Sequence, residues 1–378
     1  MSVPTIAIIG GGPCGLTLAR LLECKGIDYV VYERDESANS THAAGGSLDL
    51  RPKTGQLALQ EGGLFDEFKK HARYDDTVFA IADKVGNKLL EFGQGRDAPE
   101  IDRSALRQIL VDAIPEGKIK WGHALTSVTV GEDNRPVLQF SNGAVHSGFK
   151  LVVGADGAWS KVRPLITQAT PQYTGKSFLI SKIGHENPLY EAMARKVGAG
   201  NLLSIGSGKY IMIQRQGDGS YRNFLGLPVP ENFFRNSAVD HDLQGVEATR
   251  HLLLSDFYAD WAEEYKDLIR YATDVHAWPL YTMVTEDMGW ESVSGVTLAG
   301  DAAHLAYPGG KGVNLAMTDS LKLASKIAEH GIENLGQAVR EYEADMFPRG
   351  VATIAEGTAM TNVMYSEDPQ AFLQLVSS

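Results

Sequence analysis

The chain has 378 residues, enough for two domains or for one large domain with an insertion. Apolar residues make up 43% and aromatic residues 8%, as in globular proteins with a sizeable core. The net charge of −12 argues against a nucleic-acid partner, and neither a signal peptide nor a membrane helix is expected. The two cysteines fit a reducing compartment, so we expect a cytoplasmic protein.

A glycine-rich turn follows the first predicted strand. The apolar run Ile6–Ile9 is too short for a helix, and GGGPCG follows it before a helical pattern. In such a G-x-G-x-x-G motif Gly10 allows the tight turn, Gly12 lets backbone approach a pyrophosphate, and Gly15 lets helix and strand pack closely. The amides at the helix start favour phosphates. The alternative is an ordinary glycine turn between a strand and a helix.

A second predicted strand, Tyr29–Tyr32, ends at Glu33, eighteen residues after the motif. A carboxylate here accepts hydrogen bonds from a ribose in dinucleotide-binding proteins, so the motif and Glu33 together predict a dinucleotide. Arg34 either favours a 2′-phosphate or lies along an adenine. We expect Cys14 and Cys24 to be small buried residues rather than redox groups.

The next elements alternate between strands and helices. GGSLDLR (residues 45–51) predicts a strand with one polar face, and residues 54–71 have a helical pattern. Residues 75–95 carry short strand-like runs. EIDRSALRQILVDAI (residues 100–114) predicts an amphipathic helix. A buried strand then ends in the glycine–aspartate turn of GADGAWSKVR (residues 154–163).

From about residue 172 to 230, successive short strand signals predict an antiparallel sheet and a second domain. A helical stretch follows from about Gly245 to Tyr271. The predicted strand Gly295–Ala299 leads into GDAAHLAYPGGKGVN (residues 300–314), and a helix to His330 follows. The remaining residues are mostly helical in pattern.

The three motifs resemble, in order and separation, those of the class A flavoprotein monooxygenases, the family shaped like para-hydroxybenzoate hydroxylase. GGGPCG with Glu33 looks like the dinucleotide fingerprint, GADGAWSKVR like the Asp-Gly motif, and GDAAHLAYPGGKGVN like the motif whose aspartate approaches the flavin ribityl chain. YERD, GGSLDLR and EIDRSALRQIL look most similar to the tetracycline-inactivating members. The resemblance spans residue 5 to about 350 and implies an α/β fold. Its parts are a Rossmann-like (GR2-type) FAD-binding domain, an antiparallel β-sheet substrate domain and a C-terminal helix.

The resemblance also implies a domain division. The expected parts are a discontinuous FAD-binding domain of residues 1–73, 98–171 and 281–330, a substrate-binding domain of residues 74–97 and 172–280, and a helical segment of residues 331–378 that bridges the two. The family lacks a separate nicotinamide domain, so the sequence does not choose between NADPH and NADH. We expect a monomer.

The cofactor contacts implied by the resemblance lie in all three motifs and in the segments between them. The expected FAD-binding residues are Gly10, Gly12, Pro13, Cys14, Gly15, Glu33, Arg34, Gly46, Asp49, Arg107, Asp156, Gly300, Asp301, Pro308, Gly312, Val313 and Asn314. The amides of the last three begin a helix and would hold a flavin carbonyl that carries developing charge.

Several of these residues have a second interpretation. Arg107 could be an ordinary surface arginine, and Arg103 matches a family arginine less securely. Asp301 could be a helix cap, and Asp49 an exposed strand residue. Asp156 is either structural or involved in binding the reductant. Arg163, in the same motif, has the same two interpretations.

One segment departs from the family pattern. Tyr307–Gly312 is one residue shorter than the usual Pro-Pro…Gly-Gln-Gly segment and has Lys311 in place of glutamine. Either Lys311 stabilises negative charge on the flavin, or it points to solvent. Asp49 and Lys311 are the expected supporting groups, since the flavin rather than a side chain carries the reaction.

Substrate contacts are expected mainly on the sheet. The predicted residues are Ser181, Lys209, Met212, Arg222, Asn223, Pro308 and Gly309. Met212 is better explained by packing within the sheet than by lining the pocket. His304 is expected to pack rather than to act as a base. No group of residues has zinc-ligand spacing, so no metal is expected.

The implied reaction is NAD(P)H-consuming monooxygenation. In the family, reduced FAD reacts with O₂ to give a C4a-hydroperoxide, which transfers one oxygen atom to an aromatic or polycyclic phenol. A tetracycline-type antibiotic is one candidate, and the expected pocket lies between the sheet domain and the flavin. The alternatives are another flavin oxidoreductase on this fold (a reductase or an oxidase) or a non-catalytic flavin-binding protein.

Overall fold

The computed structural model describes residues 3–40, 46–234 and 243–377. The strands within these ranges are β1 Ile6–Ile9, β2 Tyr29–Tyr32, β3 Ser47–Asp49, β4 Phe79–Asp83, β5 Lys88–Phe92, β6 Glu100–Asp102, β7 Ile119–Lys120, β8 Leu125–Val130, β9 Pro136–Phe140, β10 Val145–His146, β11 Leu151–Gly154, β12 Gln172–Ile183, β13 Asn201–Gly206, β14 Lys209–Arg215, β15 Tyr221–Leu227, β16 Thr273–Thr282 and β17 Val296–Leu298.

The α-helices are α1 Pro13–Cys24, α2 Leu57–Glu61, α3 Phe65–His71, α4 Arg103–Asp112, α5 Tyr190–Val197, α6 Leu243–Leu252, α7 Glu263–Arg270, α8 Asp301–His304, α9 Gly312–His330, α10 Leu335–Met364 and α11 Gln370–Ser377. None of the helices in the described ranges has the length and apolarity to cross a bilayer.

Contacts divide the chain into two compact units. The first comprises Met1–Ala72, Arg103–Gln172 and Thr282–Gly357, and the second comprises Arg73–Asp102, Tyr173–Tyr281 and Thr358–Ser378. Helix α10 begins in the first unit, and its residues from Thr358 onward belong to the second.

A five-stranded parallel sheet, in the order β17-β11-β1-β2-β7, forms the core of the first unit. Every residue of β1, β2 and β11 is buried. Strands covered on both faces read as continuous apolar runs, which is why the sequence predicted them. The register aligns Ile9 with Tyr32 and Gly154, and Gly154 with Leu298, so these four strands end at one edge of the sheet.

A seven-stranded sheet, in the order β16-β12-β15-β14-β13-β4-β5, forms the second unit. From β12 to β5 its pairings are antiparallel as predicted, except that β13 and β4 run parallel. Residues of α5 and α7 pack on one face of this sheet in an apolar cluster that includes Met193, Tyr265 and Leu268.

Several local predictions differ from the structure. The segment predicted as one helix over residues 100–114 begins as strand β6, and α4 starts only at Arg103. The predicted helical stretch of residues 245–271 divides into α6, a π-helical turn and α7. The predicted helix of residues 54–71 divides into a π-helical turn at Pro52–Gln56 followed by α2 and α3, because Gly63 between the helices has a φ of +68°. The antiparallel sheet of β8, β9 and β10, and helix α5, had no counterpart in the prediction.

Candidate functional site

The glycine-rich turn lies at the strand edge of the first unit. Gly10 has a φ of +109°, and a Cβ there would collide with the carbonyl oxygen of Ala155. A Cβ at Gly15 would collide with the Gly10 carbonyl oxygen, so α1 packs directly against the turn. A Cβ at Gly12 would meet no atom within 4 Å. The backbone is therefore open at Gly12, where a ligand is expected to approach.

The start of α1 has free backbone donors. Its N-cap residue is Gly12, so no side chain accepts a hydrogen bond from the first amides of the helix, and Pro13 lies in the first turn. Such amides and the helix dipole attract anions. Glu33 is buried beside this turn and accepts hydrogen bonds from the amides of Gly11 and, at 3.0 Å, Asp35. Its carboxylate thus borders the open space at Gly12.

The two cysteines differ in environment. Cys14 is buried, with its Sγ 3.4 Å from the Ala316 carbonyl oxygen and 3.5 Å from Ser320 Oγ. Burial raises the pKa of its thiol, and the side chain faces α9 rather than the open space. The prediction of a buried role is wrong for Cys24, which is exposed at the end of α1.

Two arginines one turn apart on α4 have different environments. The Arg107 guanidinium is occupied by protein: it donates to the carbonyls of Gly11 (3.2 Å) and Ala38 (3.0 Å) and to Asp35 (2.9 Å). Arg103 Nε is buried without a hydrogen-bond partner in the described structure. Burial lowers the pKa of Arg103, and the Asp301 carboxylate opposes this shift. Arg103 is therefore the α4 cation with a donor left for a ligand.

The Asp-Gly motif contains Arg163, which bonds to backbone carbonyls, and Asp156, one of whose carboxylate oxygens has no hydrogen-bond partner in the described structure. Arg163 donates to the carbonyls of Ala302 (2.8 Å), Ala158 (2.8 Å) and Asp301 (3.2 Å), which joins this motif to the turn at residue 301. Asp156 Oδ2 accepts from the Lys161 amide at 2.7 Å, whereas Oδ1 is buried without a partner in the described structure. Burial raises the pKa of the Asp156 carboxyl.

The third motif exposes Asp301 on a rigid turn. Gly300 has a φ of +62°, a left-handed conformation that glycine adopts readily, and it precedes the first residue of α8. The Asp301 side chain is exposed. His304, at the end of α8, is buried with its Nε2 2.5 Å from Asp319 Oδ2. His304 thus has a buried carboxylate as its hydrogen-bond partner, in addition to the predicted packing role.

Asn314 acts through its side chain as a structural clamp. Its Oδ1 accepts hydrogen bonds from Arg51 N (2.9 Å), Thr54 Oγ1 (2.9 Å) and Gly55 N (3.3 Å), and its Nδ2 donates to the Asp49 carbonyl at 2.7 Å. The side-chain amide of Asn314 is thus fully used, and only its backbone N–H, in the first turn of α9, remains for a ligand. That turn has no side-chain cap.

Asp49 and Lys311 each have a protein partner. The Asp49 carboxylate is 11% exposed and lies 3.0 Å from Arg51 Nε. Lys311 is half-exposed and pairs with Glu356 on α10. The sequence did not indicate Glu356 as a partner of Lys311, because the two residues are 45 positions apart and no pattern relates them.

The other predicted contacts of the first unit lie on accessible backbone. Arg34, Pro308, Gly309 and Gly312 are exposed, while Gly46 and Val313 are partly buried. A Cβ at Gly312 would meet no atom within 4 Å.

The predicted substrate residues lie on opposite faces of the second unit's sheet. Ser181 pairs across the strands with Asn223, and both are buried on the face that α5 and α7 cover. Their side chains bond to each other at 3.3 Å. Met212 and Arg222 lie on the other face and are partly buried. Lys209 lies at the β13–β14 turn and donates to the Ser207 carbonyl at 2.6 Å.

One group in the described structure has the spacing of a metal site. Glu329, His330 and Glu341 bring one possible ligand atom each within 4.8 Å of the others. The Lys326 ammonium lies 2.8 Å from Glu329 and 2.7 Å from Glu341, so a cation already neutralises these carboxylates. We assign no metal to it.

Asp319 and Arg349 are the main residues that sequence reasoning missed. Asp319 is fully buried, and Arg349 Nη1 donates to its Oδ1 at 2.8 Å. An aspartate at the eighth position of α9, within its apolar pattern, was the available signal, because a buried carboxylate needs partners.

These groups of the first unit match what a flavin dinucleotide requires. Open backbone at Gly12 and Gly312, uncapped starts of α1 and α9, and the unpartnered Arg103 Nε and Asp156 Oδ1 all belong to the first unit. Amides and a cation suit a pyrophosphate, whereas Glu33 and Asp301 suit sugar hydroxyls. FAD therefore fits the residues present.

Comparison with known proteins gives a consistent result. The FAD binding domain family matches residues 3–197 and 262–355. Monooxygenase penA of Penicillium thymicola is 31% identical over 365 residues, which cover 85% of this chain and 84% of that protein. The 3-amino-4-hydroxybenzoate 2-monooxygenase PtnB3 of Streptomyces platensis is 27% identical, with 92% and 85% covered. The crystal structure of the tetracycline destructase Tet(55) shares the fold, with a TM-score of 0.76 at 20% identity over 99% of this chain and 93% of that one.

Proposed function

Since this chain belongs to the class A flavin monooxygenases and is an FAD-dependent monooxygenase, we propose that it acts on aromatic compounds and hydroxylates a small phenol with NAD(P)H as reductant. The family match confirms the predicted cofactor, and the fold likeness to Tet(55) agrees with the predicted fold class.

The observation that carries the proposal is the set of open backbone positions and unpartnered polar groups in the first unit. Phosphates would lie over Gly12 at the start of α1, with the Arg103 guanidinium as their cation. Glu33, already held by the Gly11 amide, would accept from the adenosine ribose. Asp301 would accept from the ribityl hydroxyls because its exposed carboxylate follows a strand end.

The start of α9 would hold the flavin ring. The amides of Gly312, Val313 and Asn314 lie in its first turn, where no side chain caps the helix. Donors there stabilise negative charge on a carbonyl of the reduced ring. Bound FAD would supply the reduction of O₂ and the transfer of one oxygen atom, while the chain binds, orients and shields it from water.

The partly buried face of the second unit's sheet is our proposed substrate surface. Ile180, Phe224, Met212 and Leu203 follow one another across neighbouring strands in one apolar row. The side chain of Arg222, in the adjoining row, has no hydrogen-bond or ion-pair partner among the described residues, and the residue is partly buried. An apolar surface with one cation favours an aromatic ring that carries a phenolate or carboxylate.

The relatives favour the same class of substrate. The name of PtnB3 states a hydroxybenzoate, an aromatic ring with a carboxylate and a phenol, as its substrate. For Tet(55) the likeness concerns the fold alone, so a tetracycline-type substrate is the second candidate.

The test is turnover with a panel of hydroxybenzoates, simple phenols and tetracycline. The holoprotein should show flavin absorption that bleaches with NADPH faster in the presence of one panel member, which is then hydroxylated. Stimulation by tetracycline alone would favour the second candidate. NADPH oxidation that yields only hydrogen peroxide, with every compound unchanged, would favour an oxidase and overturn the proposal.

A further inference from the structure

A buried carboxylate lies directly behind the turn that carries Asp301. Asp319, on α9, is fully buried. Its Oδ2 accepts the Gly300 amide at 2.9 Å and lies 2.5 Å from His304 Nε2, and its Oδ1 accepts Arg349 Nη1 at 2.8 Å. Gly300 and His304 flank Asp301 at the two ends of the same short turn. One side chain thus holds both ends of the turn.

The charges around Asp319 support an ionised carboxylate. Burial raises the pKa of Asp319, but His304 and Arg349 outweigh this, and the pKa lies below its usual range. Burial likewise opposes the charge of His304, yet the Asp319 carboxylate raises the pKa of the imidazole. Three donors converge on this carboxylate, and a neutral amide could not accept from all of them.

Helix α10 backs the same turn at close range. A Cβ at Gly350 would lie 3.0 Å from His304 Cβ, and one at Gly357 would lie 3.3 Å from the Tyr307 backbone. Arg349, beside Gly350, also donates to Asp345 at 2.8 Å, so it is itself held in place. The turn therefore has little room to move.

We propose that Asp319 is a positioning residue for the cofactor: through Gly300 and His304 it fixes the orientation of the Asp301 carboxylate toward FAD. The proposal rests on the contact between Asp301 and FAD proposed above. If Asp319 positions Asp301, its loss should weaken FAD binding as well as stability. If Asp319 only stabilised the fold, its loss should lower stability and leave FAD affinity no more affected than the loss of another buried carboxylate.

Glu343 provides a matched control within the same unit. It is equally buried, and its carboxylate accepts from Trp290 Nε1 (3.3 Å), Thr297 Oγ1 (2.8 Å) and Ser292 Oγ. None of these donors lies in the turn of residues 300–304. Glu343→Gln therefore disturbs a buried carboxylate with three donors but leaves the Asp301 turn held.

The experiment compares Asp319→Asn, Glu343→Gln and Asp301→Asn with the unmodified full-length protein. FAD is removed, the Tm of each apoprotein is measured, and the Kd for added FAD is determined by flavin fluorescence. We expect Asp319→Asn and Glu343→Gln to lower the apoprotein Tm to a similar extent. We expect only Asp319→Asn and Asp301→Asn to raise the FAD Kd by about tenfold or more. If Asp319→Asn does not fold, His304→Gln replaces it, with an expected rise in Kd of about threefold or more.

Two outcomes separate the claims. Equal effects of Asp319→Asn and Glu343→Gln on the FAD Kd, with Asp301→Asn raising it, would overturn the positioning role alone. An Asp301→Asn protein that binds FAD as tightly as the unmodified protein would overturn the proposed Asp301 contact and the positioning role with it.

Discussion

Gly12 and Gly15 belong to one motif but meet different surroundings. Gly15 faces the Gly10 carbonyl oxygen, so its missing side chain serves the packing of the protein. Gly12 faces no atom within 4 Å, so its missing side chain serves a ligand. The two functions of the motif should therefore be separable by single substitutions.

We predict that Gly15→Ala destabilises the apoprotein by roughly 1–3 kcal/mol, because the added methyl group collides with backbone. Gly12→Ala should change stability by less than about 1 kcal/mol, because a φ of −82° suits alanine whereas alanine is a poorer N-cap than glycine. Gly12→Ala should instead raise the FAD Kd about tenfold or more, about 1.4 kcal/mol. Denaturant unfolding and FAD titration test both, and tight FAD binding by Gly12→Ala would refute the proposed pyrophosphate position.

The two α4 arginines should likewise divide between stability, to which Arg107 contributes, and FAD binding, to which Arg103 contributes. Arg107→Met should destabilise the protein by about 2–4 kcal/mol, because it leaves a largely buried Asp35 unpaired. Arg103→Met should not destabilise it, because Arg103 Nε has no partner among the described residues. It should raise the FAD Kd about tenfold or more. A loss of FAD affinity confined to Arg107→Met would show that the cofactor cation was assigned to the wrong arginine.

The sequence predicted the residues whose role is local and left open those whose role depends on distant partners. The glycine motif and Glu33 belong to one short strand–turn–helix unit, so spacing alone reveals them. Arg103 and Arg107 lie one turn apart on α4, and only their surroundings distinguish them. The contacts of Asp319 with Gly300 and Arg349 join segments that no periodicity relates.

At the level of the elements, the alternation of side chains along a strand decides the substrate surface. Neighbouring residues of a strand point to opposite faces, so Ser181 and Ile180 cannot face the same ligand. The covering of one face by α5 and α7 identifies the face of Ser181 and Asn223 as interior. Sequence patterns gave the strands of this sheet, but not which face the helices cover.

We predict that Arg222→Met raises the KM for the substrate about tenfold, without a change in FAD Kd, because it removes the cation of the proposed substrate surface. Ser181→Ala is the control: it should cost about 1 kcal/mol of stability, because it removes the partner of the Asn223 amide, and should leave KM unchanged. Steady-state kinetics and thermal unfolding measure these effects. A raised KM in Ser181→Ala alone would reverse the assignment of the faces.

For the molecule as a whole, buried charge links stability to pH. Because the pKa of His304 is raised in the folded protein, this residue stabilises the fold fully below about pH 6.5. That contribution to the free energy of unfolding is lost as the pH rises through the folded-state pKa. The lowered pKa of Asp319 means that its contribution is complete above about pH 3.9 and is lost as the pH falls. Asp301 and Arg349 face the same pair and shift these values, but they do not change the signs.

We therefore predict that the decline in apoprotein Tm above about pH 6.5 is shallower in His304→Gln than in the unmodified protein. Thermal unfolding at intervals between pH 5 and 9, roughly the range in which histidine titrates, gives the comparison. The same alkaline decline in both proteins would show that His304 carries no proton in the folded state.

The most direct test of the account is the fate of labelled oxygen. The FAD-loaded protein is supplied with NADPH, ¹⁸O₂ and the panel compound that stimulates NADPH oxidation, and the product is analysed by mass spectrometry. We predict a hydroxylated aromatic product that carries one ¹⁸O atom, with NADPH consumed in proportion. A product without ¹⁸O, or ¹⁸O recovered only as hydrogen peroxide, would contradict the proposal that this monooxygenase hydroxylates an aromatic compound.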